Sequence, residues 1–193
     1  MGNFANFFKE ARLNGYGTDG ARVTKTNEGY TTEIRYTSEK YPEYEYIDVY
    51  SGAEMFFGRE EIKKNGVPHF SMSYGGTEYK SFKDNPEILE CLKDALVEGA
   101  LNPATLRGPK HYISGNWVYV VDDTEKAAPE GIWWVRCTEY IIPRSEFDFL
   151  INEYSLEPHE VARFLTARMN EFMFVEKYQV AFICSYQGGS VVL

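Results

Sequence analysis

The chain has 193 residues, of which 44% are hydrophobic and 16% aromatic, and its 29 acidic and 20 basic residues give a formal net charge of −9. A chain of this length buries enough surface in one core to fold without a metal or a disulfide, so we expect a single domain over residues 1–193. The acidic balance disfavours direct binding to nucleic acid, because lysine and arginine must neutralise the phosphates there.

The N-terminal segment, MGNFANFFKEARLNGYG, has neither the basic start nor the continuous apolar run of a signal peptide. The chain also lacks an apolar stretch of about 18 residues, the length that indicates a membrane-spanning helix. Its cysteines, Cys91, Cys137 and Cys184, have no CxxC spacing, and their odd number is typical of a reducing compartment. We therefore expect a cytoplasmic protein without membrane association.

The first half of the chain predicts one short helix followed by strands. Apolar residues recur near helical spacing over residues 4–13, with Asn3 as a candidate cap. Alternation and β-rich composition over residues 21–50 predict three strands. The segments EMFFGREEI and HFSMSYGG follow as two more strands, and Asn65 and Gly66 between them favour a tight hairpin turn.

A helix and three further strands are predicted next. DNPEILECLKDALVEGA has one apolar stripe, with Asp84 or Asn85 as cap and Pro86 in the first turn. LRGPKHYISG reads as a loop, whereas NWVYVVDD, GIWWVRCTEYII and YQVAFICSYQGG have the composition of strands. Between the last two strands, SEFDFLINEY, with Ser145 and Asp148 in a capping box, and SLEPHEVARFLTARMNEFMF predict two helices.

Two segments of the chain align with two later ones. EMFFGREEI aligns without gaps on WWVRCTEYI, and FSMSYGG aligns with FICSYQGG, which matches Glu60 to Glu139 and Tyr74 to Tyr186. A duplicated strand pair, with halves at about 44–80 and 116–193 and a helical insertion at about 143–177, is the economical explanation. Chance similarity of short strands is the alternative. We predict an α+β fold with a strongly curved antiparallel sheet, built from two pseudo-repeated strand units with packed helices.

Two glutamates are predicted on the apolar side of the sheet. Residues two apart share a face of a strand, so Glu60 and Glu139 lie with apolar neighbours, and a carboxylate there must be paired, hydrogen-bonded or protonated. The functional interpretation is an internal cavity in which Glu60, Glu139, Tyr74, Tyr186 and Arg107 bind a small polar ligand. The structural interpretation is that each glutamate is neutralised within the protein and sets the sheet register.

Arg107 stands in the segment LRGPKHY, where the following Gly-Pro pair predicts a tight turn that holds the guanidinium in place. An anchored arginine recognises a carboxylate or phosphate well. The alternative is a buried arginine that pairs with one of the core-facing glutamates. Both interpretations place Arg107 near the two carboxylates.

The sequence carries none of the common catalytic or cofactor-binding motifs, such as a GxSxG elbow, a phosphate-binding loop or GxGxxG. His69, His111 and His159 show no metal-ligand spacing with one another or with the cysteines, and are expected at the surface or in turns. We therefore predict neither a metal nor a cofactor, and name no catalytic residue.

The runs YIDVYSGAEMFFGREEIKKNGVPHFSMSYGG, LKDAL, LRGPKHY, TEYI and SYQGG together resemble an uncharacterised bacterial family, labelled only as a domain of unknown function. Its members are found alone or C-terminal to helix-turn-helix regulators. This chain departs from the family pattern at Cys137, where a glycine is more typical, and in the helical insertion after Pro143. The resemblance marks Gly58, Glu60, Met72, Tyr74, Gly76, Arg107, Gly108, Pro109, Glu139, Tyr186 and Gly189.

The resemblance supplies no function, so the expectation rests on the predicted pocket. The leading hypothesis is a small-molecule-binding or sensor domain. One alternative is a hydrolase or isomerase that uses Glu60 and Glu139 as acid and base. Another is an acidic protein-interaction module, or an inhibitor from a mobile element, that contacts a protein partner through the inserted helices.

Overall fold

Ten strands of the chain form one open antiparallel sheet in the computed structural model, which describes residues 3–15, 22–26, 31–101, 107–123, 126–127, 133–171 and 174–190. The strand order is β1-β2-β3-β4-β5-β10-β9-β7-β6, and β8 pairs with β9. The strands are β1 (Arg22–Thr26), β2 (Thr31–Thr37), β3 (Tyr44–Gly52), β4 (Met55–Lys64), β5 (Val67–Glu78), β6 (His111–Ser114), β7 (Trp117–Asp123), β8 (Lys126–Ala127), β9 (Trp133–Pro143) and β10 (Phe182–Ser190).

The described helices are α1 (Asn3–Asn14), α2 (Pro86–Leu101), α3 (Arg144–Tyr154), α4 (Val161–Arg168) and α5 (Phe174–Tyr178), with short 3-10 turns at Lys80–Phe82 and Pro158–Glu160. The predicted α+β class with an antiparallel sheet and a helical insertion before the last strand is therefore confirmed. Of the two candidate caps of α2, Asn85 is the one used, since its side-chain oxygen accepts a hydrogen bond of 3.1 Å from the Glu87 N–H.

The hairpin predicted at Asn65 and Gly66 joins β4 to β5. Both residues have positive φ, 51° and 79°, as a two-residue type I′ turn requires. The three strands expected over residues 21–50 are also present. The turn predicted at residues 27–29 lies outside the described residues.

Three local predictions are wrong. The segment expected as a loop contains β6, because residues 111–114 pair with β7 through a turn at Gly115, whose φ is 56°. Ser145 does not cap α3: Pro143 precedes the helix, and the Arg144 N–H donates to the Asn116 carbonyl at 2.8 Å. The second inserted helix is divided, since a capping box at Glu157 and Glu160 forms a 3-10 turn before α4 begins.

The sheet separates two hydrophobic cores. On one face, α1 and α2 pack with Trp117, Tyr119 and Val121 of β7. On the other face, α3, α4 and α5 pack with Val118 and Val120 of the same strand. This alternation places every second residue of the central strands against α1 and α2, and the buried Asp48, Glu60 and Glu139 lie on that side.

The register of the central strands sets which side chains meet on this face. Tyr74 of β5 is paired with Tyr186 of β10. Glu60 lies beside Met72, and Glu139 lies beside Cys184. This register is compatible with a duplicated strand pair, and the duplication itself stays a prediction.

Candidate functional site

Arg107 lies between the two predicted glutamates and binds both of them. Its Nε donates to Glu139 Oε1 at 2.8 Å, and its Nη1 donates to Glu60 Oε1 at 2.9 Å. Its Nη2 donates to the Tyr186 hydroxyl at 2.6 Å. Burial by itself lowers the pKa of Arg107, but its negative partners, Glu139 foremost, raise that pKa well above its ordinary value. The guanidinium is therefore charged and holds the two halves of the sheet together.

Two glycines allow the segment that carries Arg107 to pack closely against α2 and β7. A Cβ at Gly99, in the last turns of α2, would overlap the backbone carbonyl of Arg107. A Cβ at Gly108 would lie 2.6 Å from the ring of Tyr119. Since contacts this short do not occur between real Cβ atoms and their neighbours, the position of Arg107 depends on both glycines.

Glu139 is neutralised entirely within the protein. The residue is 0% exposed, and one carboxylate oxygen accepts hydrogen bonds from Arg107 and from the Tyr119 hydroxyl, each at 2.8 Å. The Tyr119 hydroxyl in turn accepts a bond from the Gly108 N–H at 3.3 Å. This closed network is the arrangement that the structural interpretation of a core-facing glutamate requires.

A second acid lies beside Glu60. Asp48 of β3 is paired with Glu60 of β4 in the sheet register, so both side chains emerge on the same face. The Tyr74 hydroxyl donates to Asp48 Oδ1 at 2.7 Å. Burial, and then the charge of Glu60, raise the pKa of Asp48 to about 7, against the opposing effects of Tyr74 and Arg107. The charge of Glu60 therefore contributes, after burial, to holding a proton on Asp48.

These side chains border a cavity of about 250 Å³ between the sheet and the helices α1 and α2. This volume is slightly below the range of about 300–1,000 Å³ that is usual for small-molecule sites. Leu89 of α2 is 42% exposed although it lines the cavity, and it therefore marks the side that opens to solvent. The lining residues are Arg12, Tyr46, Asp48, Tyr50, Gly52, Ala53, Phe56, Glu60, Tyr74, Glu78, Leu89, Leu92, Leu96, Arg107, Phe182 and Tyr186.

Two charged groups of the lining have polar atoms without a hydrogen-bond partner among the described residues. Arg12 of α1 is 9% exposed, and its buried Nε and Nη2 lack an acceptor. Oε2 of Glu60 is buried and lacks a donor, although Oε1 is bound to Arg107. Burial, and then repulsion from Arg107, lower the pKa of Arg12. Buried polar groups are nearly always hydrogen-bonded, so the unpartnered atoms of these two lining residues are an exception that requires an explanation.

Four of the five predicted site residues, Glu60, Tyr74, Tyr186 and Arg107, line the cavity. Glu139 lies behind them in the network with Arg107 and Tyr119, so a direct contact between Glu139 and a ligand stays a prediction. The structure brings all five into one connected region of the sheet.

Sequence reasoning missed Arg12 and Asp48. Arg12 stands one turn after Phe8 on the apolar stripe of α1, and its guanidinium lies 4.2 Å from the centre of that ring. Asp48 alternates with tyrosines in the segment YEYIDVYSG, which places a carboxylate on an aromatic face. In both cases the signal is a charged residue at a position that the periodicity of its helix or strand assigns to the apolar face.

The described residues contain no group of three or more histidine, cysteine, aspartate or glutamate side chains placed to hold a metal ion. Within the same part of the chain, no helix is long and apolar enough to cross a bilayer. On the inserted helices, Phe149 is 51%, Tyr154 is 41% and Met169 is 38% exposed. A protein partner at these helices stays a prediction.

No curated protein and no solved structure shows significant similarity to the chain. The family described as Domain of unknown function (DUF5680) matches residues 48–147, just over half of the chain. The matched region includes Asp48, Glu60, Tyr74, Arg107 and Glu139, whereas Arg12 and Tyr186 lie outside it. On this match, the chain belongs to the DUF5680 family, a domain of unknown function.

Proposed function

We propose that this protein is a small-molecule-binding or sensor domain whose ligand occupies the cavity between the sheet and the helices α1 and α2. The observation that carries the proposal is that two oppositely charged residues of one cavity, Arg12 and Glu60, each have buried polar atoms without a hydrogen-bond partner among the described residues. Nε and Nη2 of Arg12 and Oε2 of Glu60 are buried atoms of this kind, and both residues line the same cavity.

Leaving these groups unpaired has an energetic cost. A buried polar atom without a partner costs about 1–3 kcal/mol, and more when the group is charged. A ligand that pairs with Arg12 and Glu60 recovers this free energy on binding. The neighbouring Arg107 and Glu139, in contrast, already satisfy each other, so they shape the cavity without themselves requiring a ligand.

The rest of the lining favours an apolar ligand body. Leu92 and Leu96 of α2 face Phe56 and Phe182 of the sheet across the cavity, and Leu89 borders its exposed side. Burial of apolar surface contributes about 25 cal/mol per Å². A mostly apolar cavity with a few convergent polar groups is the usual form of a small-molecule site.

The geometry favours binding over the paired-glutamate enzyme. That reaction requires both Glu60 and Glu139 to reach the substrate, whereas Glu139 is not among the lining residues and its Oε1 is bound by Arg107 and Tyr119. Action in the cytoplasm remains part of the proposal, supported by three buried free cysteines. An association with a helix-turn-helix regulator stays a prediction.

Native mass spectrometry of freshly purified protein, compared with its denatured mass, tests the proposal by detecting a co-purified small molecule. The matched variants are Leu89→Trp and Leu101→Trp. Both leucines are exposed residues of α2, at 42% and 54%, but only Leu89 lines the cavity. The larger ring at position 89 fills the exposed side of the cavity, while the ring at position 101 adds the same bulk elsewhere.

We expect a bound species in the wild type and in Leu101→Trp, and its loss in Leu89→Trp with unchanged urea unfolding. Retention of the species in Leu89→Trp would place the ligand elsewhere and contradict the proposed site. The function itself would be contradicted if the native mass equals the denatured mass in all three proteins and no compound of a metabolite library raises the melting temperature.

A further inference from the structure

We infer that the ligand is a small zwitterion with an apolar side chain, of the amino-acid class: its carboxylate binds Arg12, and its ammonium binds Glu60 and Asp48. This inference rests on the proposed function, because it assigns the chemistry of the same cavity. It goes further in naming both charges of the ligand and the group that receives each one.

The carboxylate follows from the unpaired edge of Arg12. Its Nε and Nη2 lie on one edge of the planar guanidinium, and both are buried without an acceptor among the described residues. Two parallel N–H groups match the two oxygens of a carboxylate in a bidentate pair. A lone hydroxyl or carbonyl would satisfy only one of them.

The ammonium follows from the two adjacent acids. Glu60 has an unpaired buried Oε2, and Asp48 is its direct neighbour across β3 and β4. Their mutual repulsion, added to burial, raises the pKa of Asp48. A cation between the two carboxylates relieves this repulsion, which a neutral hydroxyl donor does not.

Charge balance favours a ligand that carries both signs. The guanidinium groups of Arg12 and Arg107 are offset by the carboxylates of Glu60 and Glu139, with Asp48 and Glu78 as the remaining acids at the cavity. A ligand with only a negative charge adds to this acid excess, and one with only a positive charge leaves Arg12 unpaired. A buried charge without a partner is unfavourable, so a zwitterion fits the cavity better than either.

Matched triples of probes test the inference, with affinities measured by isothermal titration calorimetry. One triple is L-phenylalanine, 3-phenylpropanoate and 2-phenylethylamine. The other is L-leucine, 4-methylpentanoate and 3-methylbutylamine. Each triple keeps one apolar body and removes one charged group at a time. We expect the amino acid of at least one triple to bind roughly ten- to a hundredfold more tightly than both singly charged partners.

Two variants assign the charges. Arg12→Met is expected to bind the amine as tightly as the amino acid, because the carboxylate has lost its partner. Glu60→Gln is expected to reduce the advantage of the amino acid over the acid, because Asp48 alone then receives the ammonium. Arg163→Met, which removes an exposed arginine of α4 on the opposite side of the sheet, should keep the wild-type order. Urea unfolding of each variant confirms that it is folded before its affinities are compared.

The outcomes separate the inference from the proposed function. A singly charged probe that binds as tightly as its amino acid overturns the zwitterion and leaves the cavity as a binding site. The same conclusion follows if no probe of either triple binds while native mass spectrometry shows a co-purified species that is not a zwitterion. Failure of both triples, with no co-purified species in native mass spectrometry and no ligand-dependent rise in melting temperature across the metabolite library, overturns the inference and the proposed function together.

Discussion

Tyr74 and Tyr186 are directly opposed across β5 and β10, with ring centroids 5.5 Å apart. Their hydroxyls engage opposite charges: Tyr74 donates to Asp48 at 2.7 Å, and Tyr186 accepts from Arg107 at 2.6 Å. The pair therefore connects the acidic side of the cavity to its guanidinium side through the centre of the sheet. We therefore expect a substitution that moves one of these rings to alter the packing of the other.

Arg107→Met is expected to destabilise the protein by about 3–5 kcal/mol, because it leaves Glu60 and Glu139 buried without their shared cation. Equilibrium urea unfolding measures this change. Arg163→Met, at an exposed position of α4, is the matched control and should stay within about 0.5 kcal/mol of the wild type. Equal midpoints for the two variants would show that the Arg107 network does not stabilise the fold.

The two glutamates are expected to differ in their structural importance. Glu139→Gln disturbs hydrogen bonds from both Arg107 and Tyr119 at a fully buried carboxylate, and we expect it to cost about 3 kcal/mol. Glu60→Gln replaces the ion pair between Arg107 and Glu60 by a neutral hydrogen bond, while the ion pair between Arg107 and Glu139 remains. We expect this change to cost about 1 kcal/mol of folding stability. The comparison uses urea unfolding at pH 7. If both variants match the wild type in stability and in ligand affinity, neither glutamate serves the role described above.

Gly58→Ala is expected to displace the Tyr74 ring from Asp48. A Cβ at position 58 would lie 2.6 Å from the Tyr74 ring and 2.7 Å from the Val49 carbonyl, so the ring must move at a cost of about 1–3 kcal/mol. Gly75→Ala on the neighbouring strand is the control, since its Cβ would meet nothing closer than 3.7 Å. Thermal unfolding should show a lower melting temperature for Gly58→Ala only. Similar decreases in both variants would mean that the loss of a glycine from the strand, and not the contact with Tyr74, causes the effect.

Asp48 is expected to make the protein less stable as pH rises from about 4 to about 7. Burial and the charge of Glu60 raise its folded-state pKa from 3.8 to about 7, so the folded protein keeps a proton that the unfolded chain releases in this window. Asp48→Asn removes this proton linkage and retains an acceptor for Tyr74. We expect the variant to resemble the wild type near pH 4 and to exceed it at pH 8 by up to roughly 4 kcal/mol.

Urea unfolding across pH 4–8 measures this difference. The opposite sign, with the variant losing stability relative to the wild type as pH rises, would mean that Asp48 is ionised and favourably paired in the folded protein. Parallel profiles would mean that its pKa is the same in the folded and unfolded states. Asp122→Asn, at a half-buried position on β7, provides the control for an aspartate-to-asparagine change elsewhere on the sheet.

Local patterns in the sequence determined most of the elements. Alternating residues predicted the strands, Asn65 and Gly66 predicted the hairpin, and the stripe of α2 with Asn85 predicted that helix. The period of two in a strand also placed Glu60 and Glu139 on the core side, because that assignment needs no knowledge of neighbouring strands. Short-range signals sufficed wherever the deciding contacts were close in the chain.

Only the tertiary structure decided which groups meet at the cavity. Arg12, Asp48 and Arg107 come from a helix, a strand and a loop that are far apart in the chain, and their proximity depends on the sheet order and on the glycine contact between α2 and the Arg107 segment. The sequence predicted that the core-facing acids require partners. Long-range packing determined that Glu139 is satisfied by Arg107 and Tyr119, whereas Nε and Nη2 of Arg12 and Oε2 of Glu60 have no hydrogen-bond partner in the part of the chain that the structure describes.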